Sequence, residues 1–510
     1  MSLARWMTRT TPTQAGAAVT QLLVEPHEWR DLTQDVAAAG GRLLALWGTN
    51  RVGQCDTLHA VAVAPPRVLA VTIPLATDGG YPGVEDVFPS ASRMQRAVFD
   101  LCGVRSTEQD TRPWLRHAAW PADAFPLSID PMPTSPQSPI DDYSFVRVEG
   151  DGVHEIPVGP VHAGIIEPGH FRFSVVGEKV LRLEERLGYV HKGIERRFTE
   201  LPILDGHRLA ARVSGDSGVA YAWSFCQALE RMTGTTVPPR ASWLRALALE
   251  LERIANHLGD LGALGNDAGF AFGLAQFSRL KEHLLRATEQ ALGQRYLLDF
   301  VVPGGTCLDL APAGATALDE HLAQLTDEVA VLRGIYEEHT GLRDRFAGAG
   351  TVPPELASWL GLVGLAGRAS GQTLDLRVDA ACAPYAELNV RRCTQQDGDV
   401  LARVTLRFDE LGESVRVVRR ILRALPPGNH AITVTIPPAG AVGVGLIEAW
   451  RGPVVVGLEA GPDGSILRCH PQDPSWHNWP ALEHAIIGNI VPDFPLINKS
   501  FNLSYSGHDL

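Results

Sequence analysis

The chain has 510 residues, more than the ~100–200 residues of a typical domain, so we expect two or three domains. Hydrophobic residues make up 45% and charged residues 20%, which is typical of folded rather than disordered proteins. The formal net charge of −13 argues against a broad nucleic-acid-binding surface, because such a surface needs excess basic side chains to neutralise phosphates. No run of ~20 apolar residues is present, so no membrane-spanning helix is predicted.

The cysteines are few and scattered. There are 7 of them, and no two form a C-x-x-C pair. A disulfide framework would be denser and even-numbered, so we expect free thiols in a reducing compartment. The C-x-x-C spacing lets adjacent thiolates share one metal, and its absence predicts no zinc or iron–sulfur site in this chain. The N-terminus also lacks the apolar run of a secretory signal.

A segment rich in proline and serine begins at Pro126. Proline fixes φ and removes a backbone donor, so residues 126–150 are predicted to be an extended linker. It separates an N-terminal unit, residues 1–125, from a larger unit, residues 151–510.

The N-terminal unit combines two kinds of pattern. Short helices are predicted over Ala17–Leu23 and Trp29–Ala39. Runs rich in β-branched residues predict strands at Arg42–Trp47, Ala60–Val63 and Val68–Ile73. We therefore expect a small α+β domain.

The larger unit is predicted to be mainly α-helical, a bundle with small flanking β-sheets. In its clearest helical pattern, apolar residues recur at alternating steps of three and four and form one stripe on a helix face. That stripe consists of Leu244, Leu247, Leu251, Ile254, Leu258 and Leu261. The predicted helices are Trp243–Leu264, Phe277–Leu298 and Ala317–His339, and the predicted strands are Ile156–His162, His170–Val176, Leu401–Phe408 and Ala431–Ile436.

A series of motifs runs in order through the larger unit. They are Gly159–Phe173, Leu187–Arg197, Ala248–Leu264, Gly293–Gly305, Val363–Arg377, Gly398–Val404, Glu448–Pro453 and Asn489–Phe501. Together they resemble the large subunits of group 4 membrane-bound nickel–iron hydrogenases, such as that of formate hydrogenlyase. They also resemble the related 49-kilodalton quinone-site subunits of respiratory complex I. In the N-terminal unit, Tyr81–Val104 resembles the 30-kilodalton subunit of complex I.

The resemblance implies a fused two-domain subunit with characteristic partners. It would dock on an iron–sulfur subunit, beside antiporter-like membrane subunits. Its place would be peripheral, on the cytoplasmic side of the inner (plasma) membrane. The family hosts two chemistries, hydrogen heterolysis at a nickel–iron centre and quinone reduction, so the site residues must decide between them.

In the hydrogenases, four cysteine thiolates hold the metals. The first family motif, R-V-C-G-I-C-G, matches a segment in which Ser214 and Ser217 replace both cysteines. The second motif, D-P-C-Y-S-C, matches a segment with Ser504 and Gly507 at the cysteine positions. A thiolate is a soft donor that suits nickel, whereas a serine hydroxyl stays protonated and glycine offers no donor. We therefore expect no functional nickel–iron centre, and the serines either bind a polar ligand or are vestigial.

The quinone-reducing relatives bind the quinone head group through a hairpin histidine and a tyrosine. His170 occupies the hairpin position, whereas the tyrosine position reads Gly215. Asp216, Tyr505 and His508 are candidates for other polar contacts. A quinone that gains electrons needs a proton donor, which histidine supplies near neutral pH. The alternative is that His170 caps backbone groups of its turn.

Three further residues are candidates through the resemblance. His191 and Glu195 are predicted to share a helix face, where a buried Glu195 would relay protons. The alternative is an exposed ion pair between Glu195 and a neighbouring arginine. In the hydrogenases, the arginine that matches Arg451 lines the metal pocket. Here it would bind an anion, pair with Asp216 or fill space.

Three functions remain open at this point. The chain could pass electrons from an iron–sulfur partner to a quinone or other small acceptor, as part of an ion-translocating membrane complex. It could instead be a non-catalytic subunit that couples other subunits structurally. A working hydrogenase is the third hypothesis, and the loss of the cysteine ligands argues against it. No G-x-G-x-x-G motif lies between a strand and a helix, so no NAD site is predicted.

Overall fold

The computed structural model describes residues 3–9, 19–50, 56–76, 79–117, 120–121, 124–128, 143–162 and 166–510. Most of the predicted linker lies outside these described residues, so the division at residues 126–150 stays a prediction. Within the described residues, no helix is both long enough and apolar enough to cross a membrane.

The strands of the described residues form small, separate sheets. A four-stranded sheet has the order β1-β4-β3-β2, in which β1 pairs parallel with β4 and the other pairs are antiparallel. Two antiparallel sheets follow, β5-β6-β7 and β10-β11-β12, with a short ribbon β8-β9 between them in the sequence. The strands are β1 (Val19–Leu23), β2 (Arg42–Thr49), β3 (Thr57–Ala64), β4 (Arg67–Pro74), β5 (Val153–Val158), β6 (His170–Val176), β7 (Lys179–Arg186), β8 (Val301–Val302), β9 (Gly305–Thr306), β10 (Val442–Glu448), β11 (Pro453–Ala460) and β12 (Ile466–Gln472).

The helices occupy most of the larger unit. Three single 3₁₀ turns lie at Pro26–Glu28, Pro462–Gly464 and Val491–Asp493. The α-helices are α1 (Ala4–Met7), α2 (Trp29–Ala38), α3 (Ala91–Cys102), α4 (Ile194–Phe198), α5 (Gly206–Ala210), α6 (Gly218–Thr233), α7 (Pro239–Asp267), α8 (Ala271–Leu292), α9 (Pro312–Glu338), α10 (Thr340–Phe346), α11 (Pro354–Leu360), α12 (Gly364–Ala369), α13 (Leu376–Asp379), α14 (Tyr385–Leu388), α15 (Val400–Ala424), α16 (Ser475–Ala485), α17 (Phe494–Phe501) and α18 (Tyr505–Asp509).

In the N-terminal unit, most predicted elements are confirmed and one is wrong. The predicted helix over Trp29–Ala39 is α2, and the three predicted strands are β2, β3 and β4. The predicted helix over Ala17–Leu23 is wrong, because Val19–Leu23 is a strand that pairs with β4. A short apolar run does not distinguish a helix from a strand, and here the free edge of β4 decides the outcome.

The long helices of the bundle follow the predicted apolar pattern. Every residue of the predicted leucine and isoleucine stripe on α7 is at most 2% exposed. Burial of each such side chain stabilises the fold by roughly 1.5–3 kcal/mol. The second predicted helix is α8, but it ends at Leu292 rather than Leu298, because Gly293 takes a left-handed φ of 78° and caps it. The third is α9, which begins with Pro312 at its first turn.

Three strand predictions in the larger unit need correction. Leu401–Phe408 lies inside α15, whose start is capped by the Asp399 carboxylate accepting from the Ala402 N–H at 2.7 Å. Ala431–Ile436 forms only an isolated bridge between Ala431 and Gly305. The strand predicted over Ile156–His162 begins and ends earlier, as β5. In each case, the conformation depends on a pairing or packing partner that lies outside the short apolar segment.

The sheet β10-β11-β12 was not predicted from the sequence, and it positions the candidate site. Its strand β10 packs so closely on α6 that a Cβ added at Gly445 would lie 1.7 Å from the Ser224 carbonyl oxygen. Glycine is therefore required at this point of the strand. Beyond β10, the chain turns through Trp450 and Arg451 toward the start of α6.

The N-terminal sheet packs directly on β12 of the larger unit. The Trp47 ring stacks between His59 and His470, with both pairs of ring centroids 5.3 Å apart. The Arg468 Nε donates to the Gly48 carbonyl at 2.9 Å. The two predicted units therefore share a buried contact, in which a guanidinium from one satisfies the backbone of the other.

Candidate functional site

Two loops far apart in the sequence meet at the positions that the resemblance matches to the metal ligands of the hydrogenases. Ser214 lies just before α6, and Ser504 is the N-cap of α18. Their hydroxyl oxygens are 3.0 Å apart, within hydrogen-bond distance. Ser504 also accepts from the Gly507 N–H at 2.9 Å, and Ser214 donates to the Asp216 carboxylate at 2.8 Å. These hydroxyls therefore bond to each other and to their own loops.

Arg451 joins the two loops. Its Nη1 donates to Asp216 Oδ1 at 2.8 Å, its Nη2 donates to the other carboxylate oxygen, and its Nε donates to the Asn502 carbonyl at 2.5 Å. A two-pronged guanidinium–carboxylate pair of this kind fixes geometry as well as charge. Of the three roles considered for Arg451 from the sequence, the structure supports the pairing with Asp216.

The two partners of this ion pair differ in their exposure to solvent. The Arg451 side chain is 6% exposed, whereas the Asp216 side chain is 36% exposed. Burial alone would raise the pKa of Asp216, but the charge and hydrogen bonds of Arg451 outweigh it, and the pKa is lowered. Asp216 is therefore an ionised carboxylate with one face reachable from outside the core.

The residues at the four ligand positions do not fit a nickel–iron centre. Three of them are serines, which offer hydroxyl groups instead of thiolates. The fourth, Gly507, has no side chain and no room for one. A Cβ added there would lie 2.5 Å from Asp473 Oδ2 and 2.9 Å from Ser504 Oγ. Asp473 is held in place by the Tyr221 hydroxyl at 2.7 Å. In the part of the chain that the structure describes, no group of three or more His, Cys, Asp or Glu could hold a metal ion.

His170 begins β6 and is 8% exposed. Its Nδ1 lies 3.2 Å from the Gly159 carbonyl, and its Nε2 accepts from the Arg172 Nε at 3.4 Å. A neutral imidazole fits both contacts, with Nδ1 as donor and Nε2 as acceptor. These contacts agree with the backbone-capping alternative.

The hairpin that carries His170 reaches the serine loops through its neighbours. A Cβ added at Gly169 would lie 2.6 Å from Tyr505 Cε1, so the hairpin backbone lies directly against that ring. The Ser506 N–H donates to the Glu167 carboxylate at 3.1 Å. Tyr505 itself packs edge-on against Trp479, with ring centroids 4.9 Å apart, and burial raises the pKa of its hydroxyl. Tyr505 therefore lies between the hairpin and the serine loops.

His508 does not supply the polar pocket contact that the sequence suggested. Its ring stacks on Trp476, with centroids 4.1 Å apart, and is fully buried. Its Nδ1 lies 2.8 Å from Asp509 Oδ1, and its Nε2 accepts from the Trp114 Nε1 at 3.2 Å. Burial lowers the pKa of this imidazole. Both ring nitrogens are therefore engaged at the contact with the N-terminal unit.

His191 and Glu195 do not share a helix face. Helix α4 begins only at Ile194, after Gly193 with a left-handed φ of 67°, so His191 lies before it. The His191 Nδ1 lies 2.7 Å from the Asp509 carbonyl, at the end of the chain. The prediction failed because the left-handed glycine breaks the helical spacing on which it rested.

Glu195 has partners that the sequence did not suggest. It accepts from the Arg468 Nη1 at 2.6 Å and lies 2.7 Å from the His470 Nδ1. Burial raises its pKa, but the charges of Arg468 and His470 outweigh burial and lower the pKa to about 2. A proton relay must exchange its proton near the working pH, so this buried ion pair does not suit that role.

Several residues around Asp216 were missed by the sequence analysis. The Asn256 amide and the Trp450 indole both donate to the Asp216 carbonyl, at 2.7 and 2.9 Å. The Glu252 carboxylate accepts from the Val219 N–H at 2.8 Å, at the start of α6. Glu252 and Asn256 are one turn apart on α7, so their side chains share a face of that helix. This spacing is the only feature of the sequence that could have pointed to them.

A cavity of about 240 Å³ opens beside Asp216, between α7 and α8. Gly215 is exposed at its edge, and a Cβ added there would meet no atom within 4 Å. The cavity is lined by Gly215, Asp216, Leu251, Glu252, Ala255, Asn256, Lys281, Leu284, Leu285, Thr288, Arg295, Tyr296 and Leu297. Charged groups and leucines thus share one small space next to the former metal-ligand loops.

Comparison with known proteins identifies the class. Residues 267–443 match the family described as "Respiratory-chain NADH dehydrogenase, 49 Kd subunit". Formate hydrogenlyase subunit 5 of Escherichia coli is 29% identical over 483 residues, which cover 92% of this chain and 85% of that protein. The carbon monoxide-induced hydrogenase of Rhodospirillum rubrum is 32% identical over 354 residues, which cover 68% of this chain and 97% of that protein.

A solved structure has the same fold. A chain of the membrane-bound sulfane sulfur reductase, an archaeal respiratory membrane complex, superposes with a TM-score of 0.66 at 23% identity, over 70% of this chain and 99% of that chain. Fold and sequence together define a large subunit of the kind found in membrane-bound respiratory and hydrogen-metabolising complexes. This chain belongs to the family that comprises the large subunits of group 4 hydrogenases and the 49-kilodalton subunits of complex I.

Proposed function

We propose that this chain is the large subunit of a membrane-associated, complex I-like oxidoreductase that works without a nickel–iron centre. It takes electrons from an iron–sulfur partner and passes them to a quinone or another small acceptor. Antiporter-like membrane subunits couple that transfer to ion movement. The subunit is peripheral, on the cytoplasmic side of the inner membrane.

The donor set at the former ligand positions supports the proposal most strongly. The Ser214–Ser504 hydrogen bond of 3.0 Å stands where two thiolates would bind metal. The Asp473 carboxylate takes up the space that a side chain at Gly507 would need. Serine hydroxyls are hard, protonated donors near neutral pH, so they do not replace thiolates at nickel. Hydrogen chemistry is therefore the least suitable activity for this site.

The surroundings of Gly215 support a small acceptor. The open space at this residue is where the quinone-binding relatives carry a tyrosine, and it joins a cavity of about 240 Å³. His170 lies on the hairpin that abuts Tyr505, and its Nδ1–H, which the Gly159 carbonyl accepts at 3.2 Å, is the proton that it could release to an acceptor. An acceptor that gains electrons must also gain protons, which histidine delivers near neutral pH.

The test is a substitution of His170 in the assembled complex. We expect His170→Ala to lower the rate of quinone reduction by about a hundredfold, the usual scale for loss of a general acid. His154→Ala is the matched control, because His154 is an exposed histidine of the neighbouring strand β5. Unchanged turnover in His170→Ala would remove His170 from the mechanism.

A second candidate function is structural coupling without catalysis. The observation that favours it is that Asp216, Arg451 and Ser504 all have partners within the chain. A complex of this kind would assemble normally and yet reduce no quinone when its iron–sulfur partner is reduced. Quinone reduction by the purified complex, tested alongside hydrogen-dependent dye reduction, distinguishes this alternative from the proposal.

A further inference from the structure

The cavity beside Asp216 has an apolar wall and a charged end. Leu251 on α7, Leu284 and Leu285 on α8, and Leu297 beyond α8 form much of the wall. The cavity has a volume of about 240 Å³. One aromatic ring with a single polar substituent fills such a space, and the leucines would exclude water from its faces.

Lys281 is a charged residue of this cavity, and its charge has no direct partner among the described residues. Its side chain is half-buried on α8, and its ammonium has no hydrogen bond or ion pair with any described residue. The ammonium lies against Gly259 of α7, since Lys281 Nζ would be only 3.0 Å from a Cβ added at that glycine. Burial lowers the pKa of Lys281, and the charges of Asp260 and Asp216 offset part of that effect.

The carboxylates near Lys281 are engaged by other groups. Asp216 is already paired with Arg451, and Asp260 is paired with Arg407 at 2.9 Å and Lys499 at 3.4 Å. Each of these two carboxylates therefore already has a cationic partner other than Lys281. Glu252, the other carboxylate of the cavity lining, accepts from the Val219 N–H. The other cation at the rim, Arg295, is taken by Glu282 at 2.6 Å. Among the described charged residues of the cavity lining, the Lys281 ammonium thus lies beside an apolar wall without a direct partner.

We propose that this cavity binds a small organic acid with an apolar body, whose carboxylate pairs with Lys281 while its body packs on the leucines. A neutral quinone would not use the unpaired ammonium, and a bare inorganic anion would leave the leucine wall uncovered. The Asn256 and Glu252 side chains at the Asp216 end restrict where the acid can sit. This inference rests on the proposed function and deepens it, because the cavity is the one offered above for the small acceptor, and it narrows that acceptor to an organic acid.

The test is an equilibrium titration of the purified, assembled complex with benzoate and, separately, with benzyl alcohol. The two probes share a ring, and only benzoate carries the charge. We expect benzoate to bind about tenfold more tightly, because a charge-assisted hydrogen bond is roughly twice as strong as a neutral one. The variant Lys281→Met should lose about that tenfold for benzoate and leave binding of the alcohol unchanged.

Two further variants complete the test. Lys179→Met is the matched control, because Lys179 is an exposed lysine on β7, and it should bind both probes as the unmodified chain does. Gly215→Leu should weaken both probes by reducing the cavity, and its fold should survive because nothing lies within 4 Å of the new Cβ. Equal affinity for the two probes, unchanged benzoate binding in Lys281→Met, or absence of saturable binding would each overturn the site. None of these outcomes depends on turnover, so the proposed electron transfer is tested separately.

Discussion

Two clusters of charged side chains in the larger unit differ in how far solvent or a ligand can reach them. The bundle network is the first, and each of its members is at most 3% exposed. Its members are Glu250, Arg253, Arg368, Asp375, Arg377, Glu410 and Glu448. The second is the pair of Asp216 and Arg451, in which the Asp216 side chain is 36% exposed beside a cavity.

The difference separates charges that hold the fold from charges that can meet a ligand. In the bundle network, Arg368 donates to Glu410 at 2.8 Å and to Glu448 at 2.7 Å, so its charge is compensated within the core. Buried charges persist only with such partners, since desolvation costs several kcal/mol for each ion. Asp216 also has its partner, but one face remains accessible, so a ligand can be added without dismantling the pair.

The largest expected effect comes from the bundle network. Arg368→Met should destabilise the chain by about 3–5 kcal/mol, because Glu410 and Glu448 would keep buried charges without their partner. Chemical unfolding of the purified complex measures this. Arg423→Met is the control, since Arg423 is 64% exposed and its pair with Asp319 should contribute less than about 1 kcal/mol. Similar losses in both variants would show that the buried network stabilises the fold no more than an exposed ion pair does.

Two glycines of the serine loops sharpen the comparison at the second cluster. Gly507→Ala should cost about 1–3 kcal/mol, because the added methyl group meets Asp473 Oδ2 at 2.5 Å. Gly215→Ala should cost nothing, since no atom lies within 4 Å of its Cβ. Thermal unfolding of the two variants side by side measures the difference. If Gly507→Ala were as stable as Gly215→Ala, Asp473 would not be closing the fourth ligand position.

The smallest effect is a pH dependence at Glu252. Burial raises the pKa of Glu252 from 4.5 to about 8, although hydrogen bonds from Val219 and Ala220 oppose the shift. The folded chain therefore holds this proton more tightly than the unfolded chain does. The resulting stabilisation is complete below pH 4.5, falls as the pH rises and is lost above about pH 8.

Glu252→Gln isolates that dependence, because its amide stays neutral and its oxygen can still accept from the start of α6. We expect its melting temperature to exceed that of the unmodified chain by about 2–4 °C at pH 8.5 and to equal it near pH 5. Glu289→Gln, at an exposed position of α8, should show no such divergence. Parallel curves for Glu252→Gln and the unmodified chain would show that Glu252 titrates normally.

Periodicity predicted the parts of the fold whose determinants are local. The stripe on α7 and the strands β2, β3 and β4 carry their pattern within one segment, and the structure confirms them. Leu401–Phe408 failed because eight residues of mixed apolar character fit both a strand and a buried helix. Only the contact of α15 with α7 decides between them. The sheet β10-β11-β12 likewise depends on packing against α6 that no short window contains.

The candidate site depended still more on distant contacts. Ser214 and Ser504 are 290 positions apart, and only the family resemblance suggested that they meet. The partners of Glu195, Arg468 and His470, lie more than 270 positions away, so no local pattern favours them over the adjacent arginines. The cavity and its unpaired Lys281 arise from the packing of α7 against α8, which residue patterns alone do not specify.

The absence of a nickel–iron centre is tested most directly by the nickel content of the purified, assembled complex, measured by elemental analysis against the amount of this chain. Iron does not discriminate, because iron–sulfur clusters in a partner subunit would contribute it. The serine and glycine positions predict nickel at background level, even when cells grow with added nickel. One nickel per chain would contradict the account and restore hydrogen chemistry to this site.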